Sequence, residues 1–282
     1  MNSRAAKPGP AGLRFLRMSR AGTQFLTVAV LAFVASTMAY ALMPGRPAAG
    51  PPPEAPGADL AWLFLHPRDP GMLALLATVW AALGYHLLRL WLEIRRIARA
   101  GRPPAPDQAG PPMPQEVLRQ HDRDMSLPEH APLILALLVG AVWPWLLALA
   151  PVAAFLLSAV TLAGSLAAAL RGIRQGAVVK RSSTLGFIAG WALLVCLTVF
   201  AGLLEQRLGV PQKLAVGLAM LIGAVAAVSV QLRMPRRTGF SVALIWGLIG
   251  IAASTVSTDA TIATATVVAI AIIAVALVRA TT

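Results

Sequence analysis

The sequence predicts an all-α, polytopic transmembrane helix bundle of about eight spans, with the N-terminus and the C-terminus both cytoplasmic. Three observations carry this. Hydrophobic residues make up 57% of the chain and charged residues only 12%, with a mean hydropathy of +0.72, far more apolar side chain than a soluble domain needs. Eight apolar stretches approach or reach the roughly 20 helical residues that cover a hydrocarbon core of about 30 Å. Finally, 20 of the 24 basic residues fall on alternate connections, which under the positive-inside rule sets the orientation and an even number of crossings.

The basic tail 1–23 (Arg4, Lys7, Arg14, Arg17, Arg20) leads into a first span at 24–43. Its apolar centre and Ala39-Tyr40-Ala41 also suit a cleaved signal peptide, but the long basic region and spanning length favour a retained anchor. Residues 44–70 form a proline-rich external linker carrying an apolar patch, Leu60 to Leu65, too short to span. Such a patch is expected in the interface, with Trp62 at headgroup depth, or as a lid over an outward-facing pocket. The second span, 71–92, delivers Arg89, Arg95, Arg96 and Arg99 to the inner side, followed by a flexible cytoplasmic loop, 93–130, with Arg102, Arg119 and Arg123. Residues 131–282 hold six further spans, at 131–147, 150–170, 185–204, 212–232, 239–256 and 260–278. The first two of these share an apolar run marked only by Trp143-Pro144-Trp145 and Pro151, and the charges favour two helices over one long one.

This charge arrangement explains the formal +13 without nucleic acid and makes anionic lipid of the inner leaflet the natural partner. The localisation it implies is a bacterial-type cytoplasmic (inner) membrane. Cys196, the one cysteine, lies inside a span as a small packing residue. No Cys/His cluster has metal spacing, and neither a phosphate loop nor a nucleophile-base set can be nominated, so the chain is not expected to be an enzyme.

Apart from His86, the spans carry no ionisable side chain well inside them, which argues against an ion-coupled pump or carrier. Small and hydroxyl residues are abundant instead: Gly186 and Gly190, Gly164 with Ala168 and Gly172, and Thr258, Thr261, Thr264 and Thr266. They suit close helix packing. His86 could ligate haem iron or bond a buried ligand, or be a neutral histidine bonded to a neighbouring helix; no second axial candidate is visible in the membrane. Trp91, Trp143 and Trp145 fall near span ends, where interfacial anchoring explains them. Trp80, Trp191 and Trp246 lie within spans; the last two are each about two turns from a cytoplasmic end, close to the depth of His86. Were those helices adjacent, their rings would line one pocket for a flat apolar ligand.

Val79-Trp80-Ala81-Ala82-Leu83-Gly84-Tyr85 is similar to the Trp-x4-Tyr helix of the TspO/peripheral benzodiazepine receptor relatives, the tryptophan-rich sensory proteins. Phe187-Ile188-Ala189-Gly190-Trp191-Ala192 resembles their glycine-tryptophan helix, and Phe240 to Ala252, with Leu244-Ile245-Trp246-Gly247-Leu248-Ile249-Gly250, resembles their late helix. The likeness runs from the second span to the end and is that of an extended bacterial type. It implies a membrane protein that binds tetrapyrroles or other planar hydrophobic ligands for sensing, regulation or transport, with porphyrin or haem as ligand and no certain cofactor. By position, Trp80, Tyr85, Trp191 and Trp246 carry over as pocket residues, joined by His86 on its own chemistry. Two other readings stay open: an assembly subunit of a membrane complex or homo-oligomer, and a facilitator for a small neutral solute.

Overall fold

A computed structural model of the chain describes residues 10–43, 60–67, 69–100, 127–174, 183–233, 238–257 and 259–281. Among these residues there is no strand, and the helices are α1 (Pro10–Leu42), α2 (Leu60–Leu65), α3 (Pro70–Ala100), α4 (Leu127–Leu146), α5 (Pro151–Arg174), α6 (Ser183–Leu208), α7 (Gln212–Arg233), α8 (Thr238–Thr255) and α9 (Ala260–Thr281). Seven are long and apolar enough to cross a membrane, and His130–Leu146 of α4 is a shorter apolar stretch. The chain is a multi-pass helical membrane protein.

Local chemistry explains the helix ends. Asp69 stands before Pro70 and accepts from the amides of Gly71 (2.9 Å) and Met72 (3.3 Å), so an acidic N-cap precedes a proline that has no amide to satisfy. Asp259 does the same for α9, accepting from Thr261 (2.9 Å) and Ile262 (3.4 Å). At the end of α6, Gly209 takes φ 62° and the Val210 amide reaches back 3.2 Å to the Leu204 carbonyl. A side chain would strain that left-handed cap. The run 131–170 resolves into two helices at Pro151, with the Ala150 amide on the Leu146 carbonyl at 2.8 Å.

Two boundaries differ from expectation. α1 begins at Pro10, inside the expected basic tail, and α3 continues to Ala100, inside the expected loop. Arginine-rich turns stay helical because arginine is a good helix former. Of the charges used for orientation, Arg4, Lys7, Arg46, Arg68, Arg102, Arg119, Arg123, Lys180, Arg181, Arg236 and Arg237 lie outside the described residues, as does Thr258.

α6 is the hub. It packs on α3, α5, α7 and α8, while α4 joins α1 to α5. α6, α8, α9 and α7 close a ring in that order, each packed on the next. Hydrophobicity does not drive apolar helices together in lipid, so close backbone approach and hydrogen bonds must do so. A β-carbon at Gly190 would stand 2.5 Å from the Phe240 carbonyl oxygen, and one at Gly164 would stand 2.6 Å from that of Pro132. Between helices, Ser241 donates to Gln231 Oε1 at 2.7 Å, the Gly239 amide to Ser183 Oγ at 3.0 Å, and Ser36 to the Ala141 carbonyl at 2.5 Å.

α2 packs against the bundle. Leu60, Ala61, Phe64 and Leu65 are all buried, chiefly against α6 and α3, and Phe64 also fits against α8, where a β-carbon at Gly247 would come 3.0 Å from its ring. Trp62 stacks on His66 at 3.8 Å and meets Tyr40 of α1 edge-on at 6.0 Å.

Candidate functional site

The helices bearing the five candidate residues do adjoin, since α3 packs on both α6 and α8 and α6 packs on α8. Their side chains nonetheless diverge. Trp80 turns to α1 and donates to Thr37 Oγ1 at 3.0 Å. Trp191, 2% exposed, also faces α1, edge-on to Phe33 at 5.9 Å and 84°. Thr37 lies one turn beyond Phe33, so these two tryptophans share a face of α1. Trp246 points instead to the start of α3, its Nε1 donating to the Gly71 carbonyl at 3.2 Å. Tyr85 is 54% exposed, with the Arg89 guanidinium 6.0 Å from its ring centroid. His86 is half-buried, with Arg89 and His130 near enough to act on its charge. The set therefore yields a Trp80/Trp191 pair and three separate residues, not one aromatic pocket.

Other aromatic and polar residues take roles that position alone did not suggest. Trp143, expected as an interfacial anchor, is 1% exposed, and the Nε1 atoms of Trp143 and Trp191 are buried without a hydrogen-bond partner among the described residues. Trp91 donates to Thr27 Oγ1 at 3.3 Å, while Trp145 donates to Ser36 Oγ at 2.8 Å. Cys196 is buried, as a packing residue should be. No group of three or more His, Cys, Asp or Glu side chains is placed to hold a metal ion among the described residues.

A void lies elsewhere, inside the α6–α8–α9–α7 ring, lined by residues of all four helices and by Leu60 of α2. Its cause is readable in the lining: Ala201, Ala219, Gly223, Ala224 and Ala269 face one another where larger side chains would close the gap. The cavity measures about 40 Å³, against roughly 10–15 Å³ for one water on the same scale. Its lining is otherwise aliphatic apart from Met220 and Thr198. The Thr198 hydroxyl already donates to the Val195 carbonyl at 2.8 Å, and the Met220 sulfur lies 3.4 Å from the Thr266 hydroxyl, which donates to the Ile262 carbonyl at 2.7 Å. Such a space favours apolar atoms over water. The lining residues were not singled out from the sequence, because a cluster of small residues reads equally well as close packing.

Outside the bundle, Lys213 Nζ lies 3.4 Å from Asp259 Oδ2, joining the first turn of α7 to the cap of α9. Desolvation would raise the Asp259 carboxyl, but the amides of Thr261 and Ile262 together with Lys213 outweigh it and hold the group below the ordinary carboxylate range.

Comparison with known proteins finds no matching family model, no matching curated protein and no matching solved structure.

Proposed function

We propose that this chain is a membrane receptor or carrier for a hydrophobic ligand, held in the α6–α9 ring, and not an enzyme. The observation that carries the reading is the aliphatic cavity in a bundle whose neighbouring helices are otherwise packed through glycine contacts. Ligand sites in membrane bundles form between helices, lined mainly by apolar side chains.

The proposed kinship with the tryptophan-rich sensory proteins joins this reading at one place. The Gly190-Trp191 helix is α6 and the Leu244-Ile245-Trp246-Gly247 helix is α8, and these two wall the cavity, with Leu194 one turn from Trp191 and Leu244 and Leu248 flanking Trp246. A tetrapyrrole is the ligand that kinship implies. Small-molecule pockets commonly enclose roughly 300–1,000 Å³, so a macrocycle would need the ring to widen. α7 is the wall able to give way, because it is held chiefly by α6 and α9 and scarcely touches α8. The cytoplasmic membrane of a bacterial-type cell is the proposed setting.

The test is a titration of purified protein with 1-bromodecane, read by quenching of tryptophan emission, and with protoporphyrin and haem, read by absorption. Wild type is compared with Ala219→Leu, which fills the cavity, and with Trp191→Ala and Trp246→Ala. Saturable binding of at least one ligand, weakened tenfold or more by Ala219→Leu, is expected; about 1.4 kcal/mol of lost packing suffices. Binding that ignores Ala219→Leu, or no saturable binding, contradicts the proposal.

A further inference from the structure

The cavity is not walled evenly. On the seam between α6 and α7, Leu197 and Met220 both line it and, unlike the other lining residues, both are only partly buried. At that point the cavity is bounded by these two flexible side chains. The Leu197 side chain lies across Gly223: a β-carbon there would stand 2.5 Å from Leu197 Cδ1. A flexible isobutyl group resting on a bare glycine can swing aside by a change of rotamer, whereas a backbone wall cannot. Leu197 is the fifteenth residue of the 26-residue α6 and Gly223 the twelfth of the 22-residue α7, so the seam lies near mid-helix, level with lipid tails rather than headgroups.

We infer that Leu197 is a lateral gate through which a single aliphatic chain passes between the hydrocarbon interior of the membrane and the α6–α9 cavity. Resting on the proposed ligand-binding role of the same cavity, this names both the chemistry and the route. The chemistry follows from the lining. The Thr198 hydroxyl is committed to the Val195 carbonyl at 2.8 Å and the Met220 thioether has no proton to give, so the lining has no free hydrogen-bond donor with which to select a polar ligand. The shape follows from the size of the space, about 40 Å³, which suits a slender chain rather than a ring system. Two sources supply such a chain: the acyl tail of a phospholipid whose headgroup stays outside, or a free alkane-like molecule dissolved in the bilayer.

The experiment is ¹⁹F exchange spectroscopy on the full chain in nanodiscs, with a phosphatidylcholine fluorinated at its tail end in one arm and 1-fluorodecane in the other. Proteins compared are wild type, Leu197→Ala, Leu197→Trp and Gly223→Ala, the last of which displaces the Leu197 side chain from the seam without shortening it. A bound signal in either arm is expected, with exchange roughly tenfold faster in Leu197→Ala and Gly223→Ala and slower in Leu197→Trp. The arm that shows the signal identifies the source. A bound signal whose exchange rate is the same in all four proteins overturns the gate and leaves the ligand-binding reading standing. Absence of a bound chain in wild type while protoporphyrin binds overturns the aliphatic occupant alone, and absence of every ligand overturns both.

Discussion

At the scale of single residues, glycine identity matters wherever two backbones meet, and α6 provides an internal comparison. Gly190 abuts the Phe240 carbonyl and the Ala243 β-carbon of α8, whereas Gly202, three turns on, has nothing within 4 Å of where its β-carbon would be. Gly190→Ala must therefore push α6 from α8, at a cost of about 1–3 kcal/mol as for other overpacked sites. Gly202→Ala gains up to about 1 kcal/mol of helix propensity. Thermal unfolding in detergent is expected to show a lowered midpoint for the first and an unchanged or raised one for the second; equal shifts would deny the close α6–α8 contact. The pair Gly186 and Gly190 was legible from its four-residue spacing alone, and so was Gly164. The fate of the tryptophans was not. Rise per residue gives depth, but the direction of a ring around its helix depends on which neighbour each face meets, and apolar helices such as α6 and α8 have no polar side to reveal it.

Among the elements, the helix ends and the long spans follow from the sequence because their causes are local: hydropathy over some 20 residues, a proline, an aspartate cap. Asp259 supports a prediction at this level. Its folded carboxyl sits below the ordinary range, so the stability it contributes is present at neutral pH, above its unfolded value of roughly 3.9, and is lost as pH falls through the lower folded value. Replacing it with alanine is expected to lower the unfolding midpoint by a few degrees at pH 7 and by less at strongly acidic pH. A deficit that does not depend on pH would place the effect elsewhere. α2 shows the opposite case. Six apolar residues ending at His66-Pro67 suit an interfacial patch, and their own pattern contains no sign of the Gly247 notch far along the chain that receives Phe64. Insertion of a short helix is a tertiary decision, made where a neighbour lacks side chains.

For the whole molecule, the helix directions alternate along the chain in the pattern the charge asymmetry requires. α4 runs with α1, as the approach of Gly140 to Phe33 and of Trp145 to Tyr40 shows, while α3 runs against it, with Trp80 on Thr37 and Trp91 on Thr27. Hub helix α6 serves both halves, which is why it is the most deeply buried of the seven spanning helices. Function is proposed in the half where packing is incomplete: the ring of α6, α8, α9 and α7 leaves an aliphatic space that small residues fail to fill. The aromatic side of α6, with Trp191 against Phe33, belongs to the packed half and orients the helix whose other face borders that space. Native mass spectrometry of wild-type and Ala219→Leu protein, released directly from membranes, tests the ligand-binding cavity most directly. Wild type should carry a hydrophobic adduct that survives release and is missing from the variant, whereas two bare proteins, or the same adduct on both, would contradict a ligand held in the α6–α9 ring.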